Sequence, residues 1–278
     1  MSDLNSLREK IDAIDSELIR LLNERSVVAK EIGSVKNREG LPIYSPEREE
    51  RVLRSLVEKS QGPLSSDAIR AIYREIMSAA LALEKDVAIA CLGASGGPAH
   101  QAAHRKFGSS VRYVFLPEVE DVLNEVAHEG ADCGVIPLDD AEHGIFNQTL
   151  DQLAETELTI CAEIAQTGTN GEEGRTESRF LVIGRAQNAP SGNDQTMLML
   201  RIEDKPGALV SALEPFKELG INLSHFASRP ASRGSQDILF FVVAGGHTRD
   251  LQVADLFREL SKACRAVKVL GSYPKIGA

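Results

Sequence analysis

At 278 residues the chain has room for two or three domains, and with 42% hydrophobic and 26% charged residues it is globular in composition, not disordered. A net charge of −10 leaves no basic excess to neutralise phosphates, which excludes a general nucleic-acid binder but leaves room for a small anion at a local cluster of Arg and Lys. No apolar run approaches a membrane span, and the start, "MSDLNSLREKIDAIDSEL", is charged and periodic unlike a secretory leader, so a cytoplasmic protein is expected.

Residues 4–85 contain no strand-like alternation. Ile11, Ile14, Leu18, Leu21, Leu22, Val28, Ala29, Ile32 and Val35 recur at three-and-four spacing and predict one long helix. Gly40 and Pro42 stop it, and Ser45-Pro46 with acids behind starts a second. After "QGPLSSD", Ser66 or Asp67 is expected to cap a third helix that runs through "AIRAIYREIMSAALALEK". Helices joined by short connections make a small bundle over residues 1–85.

The texture changes at "DVAIACLG". Strand and helix patterns then alternate through "PAHQAAHRKFG", "VRYVFL", "VEDVLNEVAHEG" and "ADCGVIPL", which predicts an α/β unit over residues 86–186 that ends at "FLVIGR". The stretch "TGTNGEEGRTE" before that last strand reads as a polar, glycine-rich loop. It leads to Ser178, Arg179 and Phe180, a hydroxyl, a guanidinium and a ring at a strand start. Residues 186–195, "AQNAPSGNDQ", read as a polar linker. The last piece, 195–278, runs strand, helix, strand, strand, helix, strand: a ferredoxin-like βαββαβ unit. The fold class is thus multidomain, α plus α/β plus α+β.

Four cysteines at 91, 133, 161 and 264 form no CxxC pair and read as buried free thiols. His100 and His104 stand one helical turn apart, but no third ligand is evident, so no metal is expected. "GASGG" lacks the dinucleotide GxGxxG spacing.

Charge interrupts the apolar stripe of the first helix. Arg8, Arg25 and Lys36 fall at or beside core-facing positions, where unpaired cations are costly and a bound dianion would supply the partner. Arg8 and Arg25 are 17 residues apart, roughly 25 Å on a helix, so one small ligand cannot touch both from one chain. If both bind ligand, an antiparallel partner helix must deliver the second chain's Arg8, which predicts a homodimer.

"LREKIDAIDSELIRLLNERSVVAKEIGSVK", "PIYSPEREERVL" and "REIMSAALALEK" resemble the all-helical chorismate mutases. "LGASGGPAHQAAHRKFG", "GVIPLDDAEHGIFNQTLDQL" and "ESRFLVIGR" resemble prephenate dehydratase, and "PGALVSALEPFKELGINLSHFASRP" is similar to the ACT domain that follows it. Together these resemble the bifunctional chorismate mutase–prephenate dehydratases, or P-proteins. The resemblance implies that Arg8 of one chain, with Arg25 and Arg48 of the other, holds the two substrate carboxylates. Lys36 and Glu84 would face the ether oxygen, and Glu49 the ring hydroxyl. No cofactor is implied, because the rearrangement is pericyclic and needs only a compact conformer and stabilised charge on the ether oxygen. Glu84 helps there only when protonated. Ser45 and Ala80 replace an aspartate and a serine of relatives, losing one polar contact each.

In that family the dehydratase has two lobes with the chemistry between them. Here "LTICAEI" runs through "AQTGTNGEEGRTE" straight to "SRF", so the second lobe is missing, and "SGGPAH", "LDDAEHG" and Ser178 depart from the usual motifs. The expectation is therefore a mutase that makes prephenate, with an inactive dehydratase remnant. The alternatives are a bifunctional enzyme making phenylpyruvate, and a non-catalytic regulatory protein. Gly207, Ala208 and Leu209, with Ser228, Arg229 and Pro230, are expected to bind an amino-acid effector such as phenylalanine, although Ala227 replaces the family's glutamate.

Overall fold

The computed structural model describes residues 3–42, 44–140, 144–145, 147–169, 175–231 and 235–275. Three helices come first: α1 (Leu4–Glu39), α2 (Pro46–Lys59) and α3 (Ser66–Glu84). Gly40, in the left-handed region at φ 65, caps α1, and Pro46 stands at the start of α2, as the punctuation predicts. The α3 cap is one residue earlier than expected: the Ser65 hydroxyl accepts from the Ala68 N–H, and Ser66 is already helical. On α1 only Ala29 and Gly33 are buried, both in the half that meets α3. Ile11, Ile14, Leu18 and Leu21 of its first half are exposed.

The α/β unit runs β1 (Ala88–Leu92), α4 (Pro98–Phe107), β2 (Arg112–Leu116), α5 (Val119–Ala127), β3 (Cys133–Asp140), β4 (Gly144–Ile145), α6 (Asn147–Ala154), β5 (Thr159–Thr169) and β6 (Arg175–Gly184). The strand order is β2-β1-β3-β6-β5, with β4 beside β3; β1 lies parallel to β2 and β3, whereas β6 is antiparallel to β3 and β5. Alternation along β3 explains the two layers. Cys133 and Val135 join Ala99, Ala102, Ala103 and Phe107 of α4, while Ile136 and Leu138 join Val122, Leu123 and Val126 of α5.

The stretch expected to be a loop is largely strand. β5 and β6 pair from Thr159↔Gly184 to Thr169↔Arg175, and only 170–174 lie outside the described residues. Polar, Gly-containing strands hide from pattern reading because their sequence shows no apolar alternation.

The last unit runs β7 (Asp194–Glu203), α7 (Ala208–Glu218), β8 (Leu223–Pro230), β9 (Asp237–Gly245), α8 (Leu251–Ala263) and β10 (Ala266–Pro274), in an antiparallel sheet ordered β10-β7-β9-β8. In β7 the even positions Leu198, Leu200 and Ile202 pack with Ala212, Phe216, Leu256 and Leu260 of the helices. The odd position Met197 joins the α/β core beside Phe241, Val243, Leu270 and Tyr273. The two sheets therefore share one core.

The linker is tighter than its polarity suggests. Buried Asn188 donates to the carbonyls of Cys161 and Ser272, which belong to different sheets. Gly271 sits against the Ile160 backbone so closely that a Cβ there would lie 2.4 Å from the Ile160 carbonyl oxygen. Among the described residues no helix is long and apolar enough to cross a membrane.

Candidate active site

Arg25, Ile32 and Lys36 of α1, Arg48, Glu49 and Val52 of α2, and Met77, Ala80, Leu81 and Glu84 of α3 line one cavity of about 500 Å³. Five of the six expected mutase residues thus meet across 59 positions of sequence. Gly33 makes the meeting possible, since the Glu84 side chain lies where a Cβ at 33 would stand, at 2.7 Å. Lys36 Nζ is 3.2 Å from Glu84 Oε2. Arg25 and Arg48 have no ion pair among the described residues, so their charge faces an apolar-walled cavity. Arg8 lies away from this cavity on the exposed half of α1.

The cavity's remaining wall ties to the α/β unit. Tyr44 packs on Phe107, ring centroids 4.9 Å apart, and its hydroxyl is buried near Glu49 without a hydrogen bond of ordinary geometry. Burial, reinforced by the negative charge of Glu49, holds that phenol well above its usual range. Lys106 of α4 donates to Glu49 Oε1 at 3.0 Å.

A second polar cluster lies at the carboxyl ends of the parallel strands, where open α/β sheets place ligands. Asp139 at the end of β3 is the ladder partner of Arg179 in β6. The Arg179 Nε donates to Asp139 at 2.9 and 3.0 Å, and its other nitrogens reach Asp139, Glu163 and His225 of β8. Glu163 in turn accepts from Gln195 at 3.0 Å and from the buried Tyr273 hydroxyl at 3.2 Å. Burial raises the Glu163 carboxyl pKa, and the Arg179 charge opposes the rise. Ser178 is half-buried beside this cluster, whereas Phe180 is a core residue. Of Ser178, Arg179 and Phe180, expected from the sequence, the structure sets Arg179 among Asp139, Glu163 and His225, three residues that long-range pairing brings there and no local motif announces.

The effector residues fall in two places. Gly207, left-handed at φ 84, caps α7, and with Ala208 it lines a cavity of about 390 Å³. The Ala208 N–H is already spent on the Lys205 carbonyl. Leu209 packs on the ferredoxin-like core. Ser228, Arg229 and Pro230 lie on edge strand β8, where Arg229 pairs with Asp151 of α6 and covers the Phe241 ring. Within one chain these two groups are not brought together.

Elsewhere the side chains have structural partners. His100 accepts from the Gly96 N–H and packs edge-on to Tyr113 and Phe115. All four cysteines are free and buried, and burial pushes the Cys91 and Cys161 thiols up to about 12.

Family models match in the same order: chorismate mutase type II over residues 7–85, prephenate dehydratase over 89–167 and the ACT domain over 196–262. A bifunctional chorismate mutase/prephenate dehydratase of Aquifex aeolicus is 33% identical, with 99% of each chain covered. One from Pseudomonas aeruginosa is 28% identical, with 98% of each covered. The Aquifex match runs over 357 aligned positions against a chain of 278 residues, so that relative carries residues this chain lacks. A prephenate dehydratase structure from Arthrobacter aurescens, in complex with L-Phe, aligns at TM-score 0.59 and 20% identity, covering 68% of this chain and 90% of its own, and shows the fold. These full-length relatives favour the two-activity alternative over the expected inactive remnant. The chain belongs to the bifunctional chorismate mutase/prephenate dehydratase family.

Proposed function

We propose that the chain rearranges chorismate to prephenate in the helical cavity and carries prephenate on to phenylpyruvate at the Asp139–Arg179 end of the α/β sheet. The observation that carries the first step is the convergence of Arg25, Lys36, Arg48, Glu49 and Glu84 on one cavity. Arg25 and Arg48 suit the substrate carboxylates, and Lys36 suits the ether oxygen on which negative charge grows. Such a site asks for no nucleophile or cofactor. The partner's Arg8 completes it in a homodimer, a reading supported by the exposed apolar first half of α1. Refolding a mixture of Arg8→Ala and Arg25→Ala proteins should restore activity, because some mixed dimers hold one intact site. Heterodimers without activity would count against the exchange.

The second step rests on family membership. It requires loss of CO2 and of the ring hydroxyl as water, and Ser178 with Arg179 is the candidate machinery. A mutase with a silent α/β unit is the competing reading, favoured by one observation: Arg179 is engaged by Asp139, Glu163 and His225. Incubating chorismate with the protein separates the two. Phenylpyruvate is expected, and prephenate accumulating without it would favour the silent unit. An amino-acid effector at Gly207 and Ala208 is expected to change either rate on addition of phenylalanine.

A further inference from the structure

Glu49 faces the helical cavity from α2, yet the cation that holds it belongs to the next unit. Lys106 Nζ donates to Glu49 Oε1 at 3.0 Å, with only 22% and 14% of the two side chains exposed. A cation in the last turn of α4 is ordinary, since it complements the helix carboxyl end. What is not ordinary is where it reaches.

The neighbouring contacts fix that reach. Phe107, next in sequence, packs on Tyr44, which lines the same cavity and brings its hydroxyl near Glu49. Leu81, also on the cavity wall, packs on the core that holds α4. Just beyond α4, Ser109 donates to Glu75 and the Ser110 N–H donates to the Ser78 hydroxyl, at 2.7 and 3.0 Å. A Cβ at Gly108 would fall 2.7 Å from Ser78 Cβ. The carboxyl end of α4 is thus keyed into α3 with no slack.

We propose that Lys106 is a positioning residue for the mutase reaction: it fixes the rotamer of Glu49 so that the carboxylate meets the ring hydroxyl of the substrate. The inference rests on the reading of Glu49 as the hydroxyl acceptor. With Oε1 engaged, the lone pairs of the second oxygen are fixed in direction before substrate arrives, and the cost of orienting them is removed from binding. The α/β unit then contributes to the first reaction whatever it does in the second.

The test uses the full chain and compares Lys106→Met, Glu49→Gln and the double variant, with KM and kcat for chorismate and a thermal melt for each. Lys106→Met is expected to raise KM about tenfold with kcat within about twofold of the parent, since a ground-state contact is lost. Lys106→Arg should recover most of that, because a purely steric role would not be rescued by a longer cation. Glu49→Gln should raise KM as well, and the double variant should be no worse than Glu49→Gln alone. If Lys106→Met melts early, Lys106→Gln carries the same expectation with polarity retained. An unchanged KM in folded Lys106→Met or Lys106→Gln, or a double loss equal to the product of the singles, overturns the inference while leaving Glu49 in its role. An unchanged KM in Glu49→Gln overturns the hydroxyl-acceptor reading itself, and the inference with it.

Discussion

The helical cavity and the Asp139–Arg179 cluster both present arginine to a candidate anionic substrate, and they do so in opposite states. Arg25 and Arg48 face open space between apolar walls, whereas Arg179 is neutralised by Asp139 and Glu163 and touches His225. A cation left without a protein partner in a concave site is stored binding energy for an anion. A cation already paired holds the fold together, and a ligand must compete for it. The same residue type thus stands without an ion pair in one region and is held by protein partners in the other.

The largest effect expected is in the helical cavity. Arg25→Ala or Lys36→Ala should lower mutase kcat/KM on the order of a hundred- to a thousandfold. For Arg25→Ala the melting temperature should be unchanged, because no protein partner is lost. Steady-state kinetics and a melt check both halves, and near-parental turnover would remove the assignment.

Arg179→Ala should show the reverse pattern in stability. Removing it leaves Asp139 and Glu163 buried without their counter-charge, at a cost of about 3 kcal/mol. The loss also has a pH signature. Burial already raises the Glu163 carboxyl pKa, and losing the guanidinium raises it further above its unfolded value. The folded variant then binds that proton more tightly than the unfolded chain, so stability is present at low pH and lost as pH rises through the raised pKa. Denaturant melts should show a larger deficit at pH 8 than at pH 5. Equal deficits would mean that the carboxylates are not buried as described.

Glu84→Gln should have a smaller effect of opposite sign. An amide donates to the ether oxygen where a carboxylate repels it, a gain of about 0.5–1.5 kcal/mol, or roughly two- to tenfold in kcat/KM at pH 8. A variant slower than its parent at pH 8 would assign Glu84 to holding Lys36 instead.

The smallest effect expected is none at all. The Cys161 thiol is pushed up to about 12 by burial, and Cys264 to about 11. A thiol reagent at pH 8 should label none of the four cysteines in the native protein and all four after denaturation.

What was legible in the sequence follows from range. The α1 stripe, the break at Gly40 and the start at Pro46 are local signals, and they place Arg25, Lys36, Arg48 and Glu49 on the right elements. The βαββαβ order was equally readable, because Met197–Leu200 of β7 and Ile238–Ala244 of β9 are apolar runs. Pairings across distance were not. Nothing near Lys106 announces Glu49, 57 positions away, and nothing in a polar linker announces that Asn188 clamps two sheets. α6 also escaped notice, since "NQTLDQLA" is too short and polar to show a helical period. Gly33 gives no signal in the sequence, because its role is absence of bulk, visible only once Glu84 is seen against it.

The β5–β6 hairpin has a consequence for how such a protein exchanges parts. The two strands run side by side to the Thr169↔Arg175 pair at the sheet edge, so the chain leaves and re-enters the sheet at neighbouring points. A segment spliced between those points need not alter the register of the two strands, because the cost of loop closure grows only slowly with length. An insertion or deletion at that tip therefore falls outside every described strand pair.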